Sequence, residues 1–98
     1  MSEANFLDWH MKKGGVVLRI DKFLKISRLI KRRTVASEAC TQGRVLLNGK
    51  EAKPGAEVKL GDIIEIRFGS NTSKVVVEYL SQTVNKQESK EMYSILDE

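Results

Sequence analysis

The sequence predicts an α+β domain in which two N-terminal helices pack on a small antiparallel β-sheet, with the option of a further helix at the C-terminus. Two observations carry this. Between residues 20 and 42 the apolar residues recur at helical spacing, whereas beyond Gly43 they come in short alternating runs divided by turn signals. The elements also segregate along the chain with no βαβ rhythm, which favours hairpin-paired strands over a parallel sheet. Ninety-eight residues hold a single core of modest size.

Residues 1–17, "MSEANFLDWHMKKGGVV", read as a mobile N-terminal extension, since Gly14-Gly15 breaks any pattern. The domain itself is expected over residues 18–80. From Ile20 a first helix begins, with Ile20, Phe23, Leu24 and Ser27 on one face and Arg19, Lys22 and Lys25 on the other; Arg28 falls at the edge. A second helix is expected over Arg33 to Gln42, burying Val35, Ala36, Ala39 and Cys40, with Gly43 as its stop. Cys40 reads as a small core residue.

Val45–Leu47 forms a strand that runs into the tight-turn signal Asn48-Gly49, followed by the turn pairs Pro54-Gly55 and Gly61-Asp62. In "DIIEIRF" Ile64, Ile66 and Phe68 face one way, while Glu65 and Arg67 face the other. "GSNTS" is expected to be a loop before a strand that aligns Val75, Val77 and Tyr79. Residues 81–98 read as an acidic tail or a short helix, the latter placing Met92, Ile95 and Leu96 on the body.

Charge is distributed unevenly. Residues 19–53 carry ten Lys or Arg against Asp21, Glu38 and Glu51, a balance of +7, whereas residues 78–98 balance at −3. Seven of the cations lie in "RIDKFLKISRLIKRR", whose only acid is Asp21. Such a cluster repels itself unless an anion sits nearby. Asp21 with Lys25 is the one i,i+4 pair available to relieve it. "KRRT" falls where the second helix starts, so Lys31, Arg32, Arg33 and Thr34 surround backbone N–H groups that already favour an anion, the composition of a phosphate clamp.

Other functions find little support. The lone Cys40 forbids an intramolecular disulfide, and with the lone His10 it supplies too few soft ligands for a zinc site, so no metal or cofactor is expected. No paired carboxylates, Ser/His/Asp set or phosphate-binding glycine loop suggests catalysis. No apolar run approaches the ~20 residues of a membrane span. A membrane-surface helix would need an exposed apolar face, which the core requires here. The segment lacks the Asn and Gln of a DNA-reading helix and suits backbone contacts. A cytoplasmic, non-enzymatic polyanion binder is the expectation.

"LRIDKFLKISRLIKRRTVASEACTQGRVLLNGKEAKPGAEVKLGDIIEI" resembles the small RNA-binding domain of the S-four type, with its alpha-L arrangement of helices. The marks are the Arg-x-Asp-Lys-Phe-Leu opening, the Arg-rich entry to the second helix, Gly-Arg-Val, Asn-Gly, and Pro-Gly followed by Gly-Asp. With "GDIIEIRFG" and a closing "MYSIL", the chain is similar to one single-domain branch, the bacterial ribosome-associated quality-control factors of the RqcP type, relatives of the fifteen-kilodalton heat-shock protein. The resemblance implies a monomer that docks on a stalled large ribosomal subunit, touching ribosomal RNA and peptidyl-tRNA, while a tailing factor adds C-terminal alanines without a template. A large-subunit recycling role, as in the heat-shock relative, is the alternative. The family's RNA-contacting arginines fall on Arg19 and Arg33, and Asp21 takes the place of the acid that orients neighbouring cations. The full candidate RNA-binding set is Arg19, Lys22, Lys25, Arg28, Lys31, Arg32, Arg33, Thr34, Arg44 and Lys50.

Overall fold

A computed structural model of the chain describes residues 17–81 and 84–96. The expected N-terminal extension lies outside the described residues apart from Val17, which is exposed. The chain opens with β1 (Leu18–Arg19), α1 (Ile20–Ile26) and α2 (Arg33–Thr41). It continues through β2 (Val45–Leu47), β3 (Lys50–Glu51), β4 (Glu57–Val58), β5 (Ile63–Phe68) and β6 (Asn71–Val77), and closes with α3 (Lys86–Ser89) and β7 (Tyr93–Ile95). The five-stranded sheet has the order β3-β2-β5-β6-β7 with every pair antiparallel, and β1 pairs separately with β4. The α+β class, the two helices and the antiparallel sheet are those the sequence predicted.

Packing follows the apolar stripes. Ile20, Phe23 and Leu24 of α1, Ala36, Ala39 and Cys40 of α2, and Val45, Ile64, Ile66, Val75 and Val77 of the sheet share one buried core. Small residues on α2 let the two helices approach closely. Val35, expected in this stripe, is 42% exposed, because Ala36 and Ala39 already set the inward direction and Val35 stands off to its side. Burial, with the negative charge of Asp21 behind it, pushes the Cys40 thiol up from its ordinary 9.0 to about 11.

The hairpin turns follow their chemistry. Asn48 and Gly49 both have positive φ, 52° and 87°, as a two-residue hairpin turn between β2 and β3 requires. The Asn48 side chain accepts from the Ile63 N–H at 2.9 Å and donates to Asp62 Oδ1 at 3.1 Å, which ties the Asn-Gly and Gly-Asp turns together.

Three expectations on the sheet are corrected. "GSNTS" is not a loop throughout, because Asn71, Thr72 and Ser73 pair with Phe68, Arg67 and Ile66 in a long β5–β6 hairpin. Phe68 is 41% exposed because that hairpin runs past the edge of the core. Tyr79 lies beyond the end of β6 and is half-buried.

Within residues 85–96 the helix amounts to one turn, capped by reciprocal bonds between Asn85 and Glu88. β-prone Tyr93 and Ile95 then continue as a strand on β6, the Glu78 N–H donates to the Met92 carbonyl, and Met92 is fully buried. Ile95, expected on the body, is instead 69% exposed on the outermost strand.

Candidate RNA-binding face

The face is organised around one buried carboxylate. Asp21 lies on the first turn of α1 and is 3% exposed. Its backbone is pinned from the opposite side of the chain: the Ile20 N–H donates to the Ala56 carbonyl at 2.8 Å, and the Asp21 N–H to the Pro54 carbonyl at 3.3 Å. The β1–β4 register, Leu18 with Val58 and Arg19 with Glu57, holds the same strip in place. Asp21 therefore enters the interior with a fixed direction, and its charge needs compensation there.

Two arginines supply it. Arg19 Nη2 donates to Asp21 Oδ2 at 3.2 Å, and Arg33 Nη2 lies 3.6 Å from Oδ1, an atom that is buried without a hydrogen bond among the described residues. Both guanidiniums remain about half exposed. Arg19 ends β1 and caps α1, while Arg33 opens α2, so the carboxylate joins the starts of both helices. The i,i+4 pair expected between Asp21 and Lys25 does not form, because Asp21 turns inward while Lys25 stays on the exposed side of α1.

The guanidinium of Arg19 lies over the Pro54-Gly55 turn; a Cβ built on Gly55 would stand 3.9 Å from it. At the start of α2 the N-cap is Arg32, whose side chain makes no capping bond, and the first turn contains no acid. The first-turn N–H groups thus lack a side-chain acceptor beside the exposed Lys31, Arg32, Arg33 and Thr34, and the local potential favours an anion.

Between the helices, Arg28 holds a left-handed backbone with φ 65° and donates its N–H to the Lys25 carbonyl at 3.0 Å, the closing position where glycine is usual. Lys25, Arg28 and Lys31 then gather around a cleft with Ile26 and Val84. Lys22 is half-buried on α1.

The remaining predicted cations diverge. Lys50 lines a cleft with Lys53, Gly55 and Ala56, on the side where Arg19 lies. Arg44 sits at the other end of β2, and its carbonyl accepts from the Arg67 N–H at 2.8 Å. Arg67 itself donates to Glu65 at 2.8 Å. The fold therefore brings Arg19 and Arg33 together, collects Lys25, Arg28 and Lys31 separately, and leaves Arg44 next to a strand arginine set apart from both. Gly55 was read from the sequence only as a turn residue, and Lys53 and Val84 were not singled out. Lys53 adjoins the Pro-Gly mark and was findable there; nothing local marks Val84. Among the described residues no cluster of side chains is suited to a metal ion, and no helix is long and apolar enough to cross a membrane.

The comparisons with known proteins fall on this same strip of chain. The family pattern of the S4 domain matches residues 18–64, which contain α1, α2 and the whole Arg19–Asp21–Arg33 arrangement. The "RQC P-site tRNA stabilizing factor" of Listeria innocua is 51% identical over 84 residues, covering 86% of this chain and 91% of the relative. The chain belongs to this family. The factor of the same name from Bacillus subtilis is 51% identical over 81 residues, covering 83% of this chain and 94% of the relative. Among solved structures, the trimeric Heat Shock Protein 15 of Vibrio cholerae superposes with a TM-score of 0.75 at 30% identity, covering 82% of each chain. The matches to the two factors, over 84 and 81 residues, are longer than the S4 pattern itself.

Proposed function

We propose that this member of the RQC P-site tRNA stabilizing factors is a non-enzymatic RNA-binding protein of the stalled large ribosomal subunit. It holds peptidyl-tRNA against ribosomal RNA while a tailing factor extends the nascent chain with alanines, without a template. The observation that carries this is the pair of half-exposed arginines, Arg19 and Arg33, fixed on the buried Asp21 at the entry to both helices. A guanidinium already oriented by a carboxylate loses little freedom on gripping a phosphate in two places, which an ammonium on a flexible stem cannot match. Lys31, Arg32 and the first turn of α2 extend the same anionic preference, with Lys22, Thr34 and Lys50 around it. Arg44 is assigned a peripheral contact. The protein acts as a cytoplasmic monomer.

A second function, large-subunit recycling of the heat-shock type, is favoured by the structural likeness to Heat Shock Protein 15. The higher identity to the quality-control factors supports the first.

The test is association of the purified protein with large subunits, with and without bound peptidyl-tRNA, across a salt series. Neutralising ~4–6 phosphates gives a log–log salt slope of roughly −3 to −5. Tighter binding when peptidyl-tRNA is present supports the stabilising function. Equal binding with and without it favours recycling, and a flat salt response removes the phosphate-binding face altogether.

A further inference from the structure

The cations of residues 19–33, contiguous in sequence, form two stations in the fold. One is the Asp21-anchored pair. The other is a cleft of about 390 Å³ bounded by Lys25, Ile26, Arg28, Lys31 and Val84. Its size falls at the lower end of small-ligand sites, ~300–1,000 Å³. Its lining is mixed. Among the described residues three cations stand around it with two aliphatic side chains, one from the end of α1 and one from the segment after β6.

Two features set this cleft apart from an ordinary solvated surface. Among the described residues none of its three cations has a carboxylate partner, unlike Arg19, Arg33, Arg67 and Lys74. Three like charges around one cleft repel each other unless an anion enters. Arg28 also keeps its left-handed backbone, a conformation that costs every residue except glycine, at a place where glycine would close the helix without strain.

We propose, resting on the RNA-binding function above, that this cleft is a nucleotide seat. It receives one unpaired nucleotide of the bound RNA, with the phosphate among Lys25, Arg28 and Lys31 and the base against Ile26 and Val84. A free phosphate makes no use of an aliphatic floor. A paired nucleotide brings only its phosphate and ribose to such a cleft, because its base is held inside the duplex stack.

The test uses the full chain, titrated with a short single-stranded oligoadenylate and, separately, with inorganic phosphate at equal ionic strength, while amide resonances are followed. The oligonucleotide is expected to move Ile26, Arg28, Lys31 and Val84 together, and phosphate to leave Val84 in place. Two variants accompany it. Arg28→Gly removes a cation while relieving the backbone, so its melting temperature does not fall, and any lost binding is not lost folding. Val84→Asp makes the apolar wall anionic. Arg28→Gly is expected to weaken oligonucleotide binding about tenfold or more, the loss of one charge-assisted contact, and Val84→Asp to weaken it comparably, by setting a like charge beside the phosphate. Phosphate reproducing the whole pattern, or both variants binding as the parent does, overturns the seat. If the seat fails while Arg33→Ala still lowers large-subunit affinity about tenfold or more, the proposed function stands. If the parent chain binds the oligonucleotide in the cleft but ignores large subunits, the function fails and the seat remains.

Discussion

Arg33→Ala separates binding from folding, and the two costs can be worked out from the geometry. A guanidinium hydrogen-bonded to phosphate contributes about 1.5–3 kcal/mol, so its removal lowers large-subunit affinity roughly 10- to 150-fold. The same change takes one of two cations from a carboxylate that is 3% exposed. Breaking a fully buried ion pair costs about 3–5 kcal/mol, but a pair in which one partner is solvated contributes about 0.2–1 kcal/mol. Arg33 is 47% exposed at its side chain and Arg19 stays on Asp21 at 3.2 Å, so the lower figure governs. A loss of about 1 kcal/mol corresponds to a melting temperature lowered by ~4–8 °C in a domain of this size.

The decisive comparison repeats Arg33→Ala in an Asp21→Asn background, with large-subunit co-sedimentation run beside thermal melts. Without the charge at position 21, the stability cost of Arg33→Ala shrinks to within ~0.5 kcal/mol of zero. The binding cost persists at tenfold or more, and Arg33→Lys recovers only part of it. If the Asp21→Asn background also abolishes the binding cost, Arg33 serves only to neutralise the carboxylate, and the phosphate-gripping role is refuted.

Three further outcomes are expected. Arg67→Ala changes large-subunit affinity by less than about fivefold, the reach of a solvated ion pair, because its guanidinium is engaged by Glu65; a loss equal to that of Arg33→Ala would move the binding face onto the sheet beside Arg44. Met92→Ala lowers stability by about 2–5 kcal/mol in denaturant unfolding, since Met92 is fully buried beneath the C-terminal segment; a loss below ~0.5 kcal/mol would detach that segment from the cooperative unit. Because the Cys40 thiol is raised from 9.0 to about 11, it favours the fold at full strength below pH 9 and loses that contribution as pH rises to 11. Melts across that window should fall further for the parent than for Cys40→Ala, and an equal fall would place the thiol in contact with solvent.

Local spacing in the sequence determined the helical stripes, the Val45–Leu47 strand, the Asn48-Gly49 turn and the identity of the basic segment, because each depends on residues within one or two turns of chain. The resemblance pointed to Arg19, Asp21 and Arg33 as a set. Tertiary structure alone decided how they meet: Asp21 turns inward because strand β4 and the Pro54-Gly55 turn pin its backbone, and Arg33 reaches it only after α2 folds back on α1. Val35, Phe68 and Ile95 fit apolar patterns yet lie exposed, since periodicity gives a side chain a direction but not a neighbour to cover it. The C-terminal segment was read as a tail or a short helix; one helical turn forms at Lys86–Ser89, and the open edge of β6, with hydrogen-bonding groups seeking partners, takes Tyr93–Ile95 as a strand. The division of one cationic run into an anchored pair and a separate cleft has the same origin. Like charges adjacent in sequence are parted by a turn whose closing residue, Arg28, stands at φ 65°, and Val84 comes to that cleft from the far end of the domain.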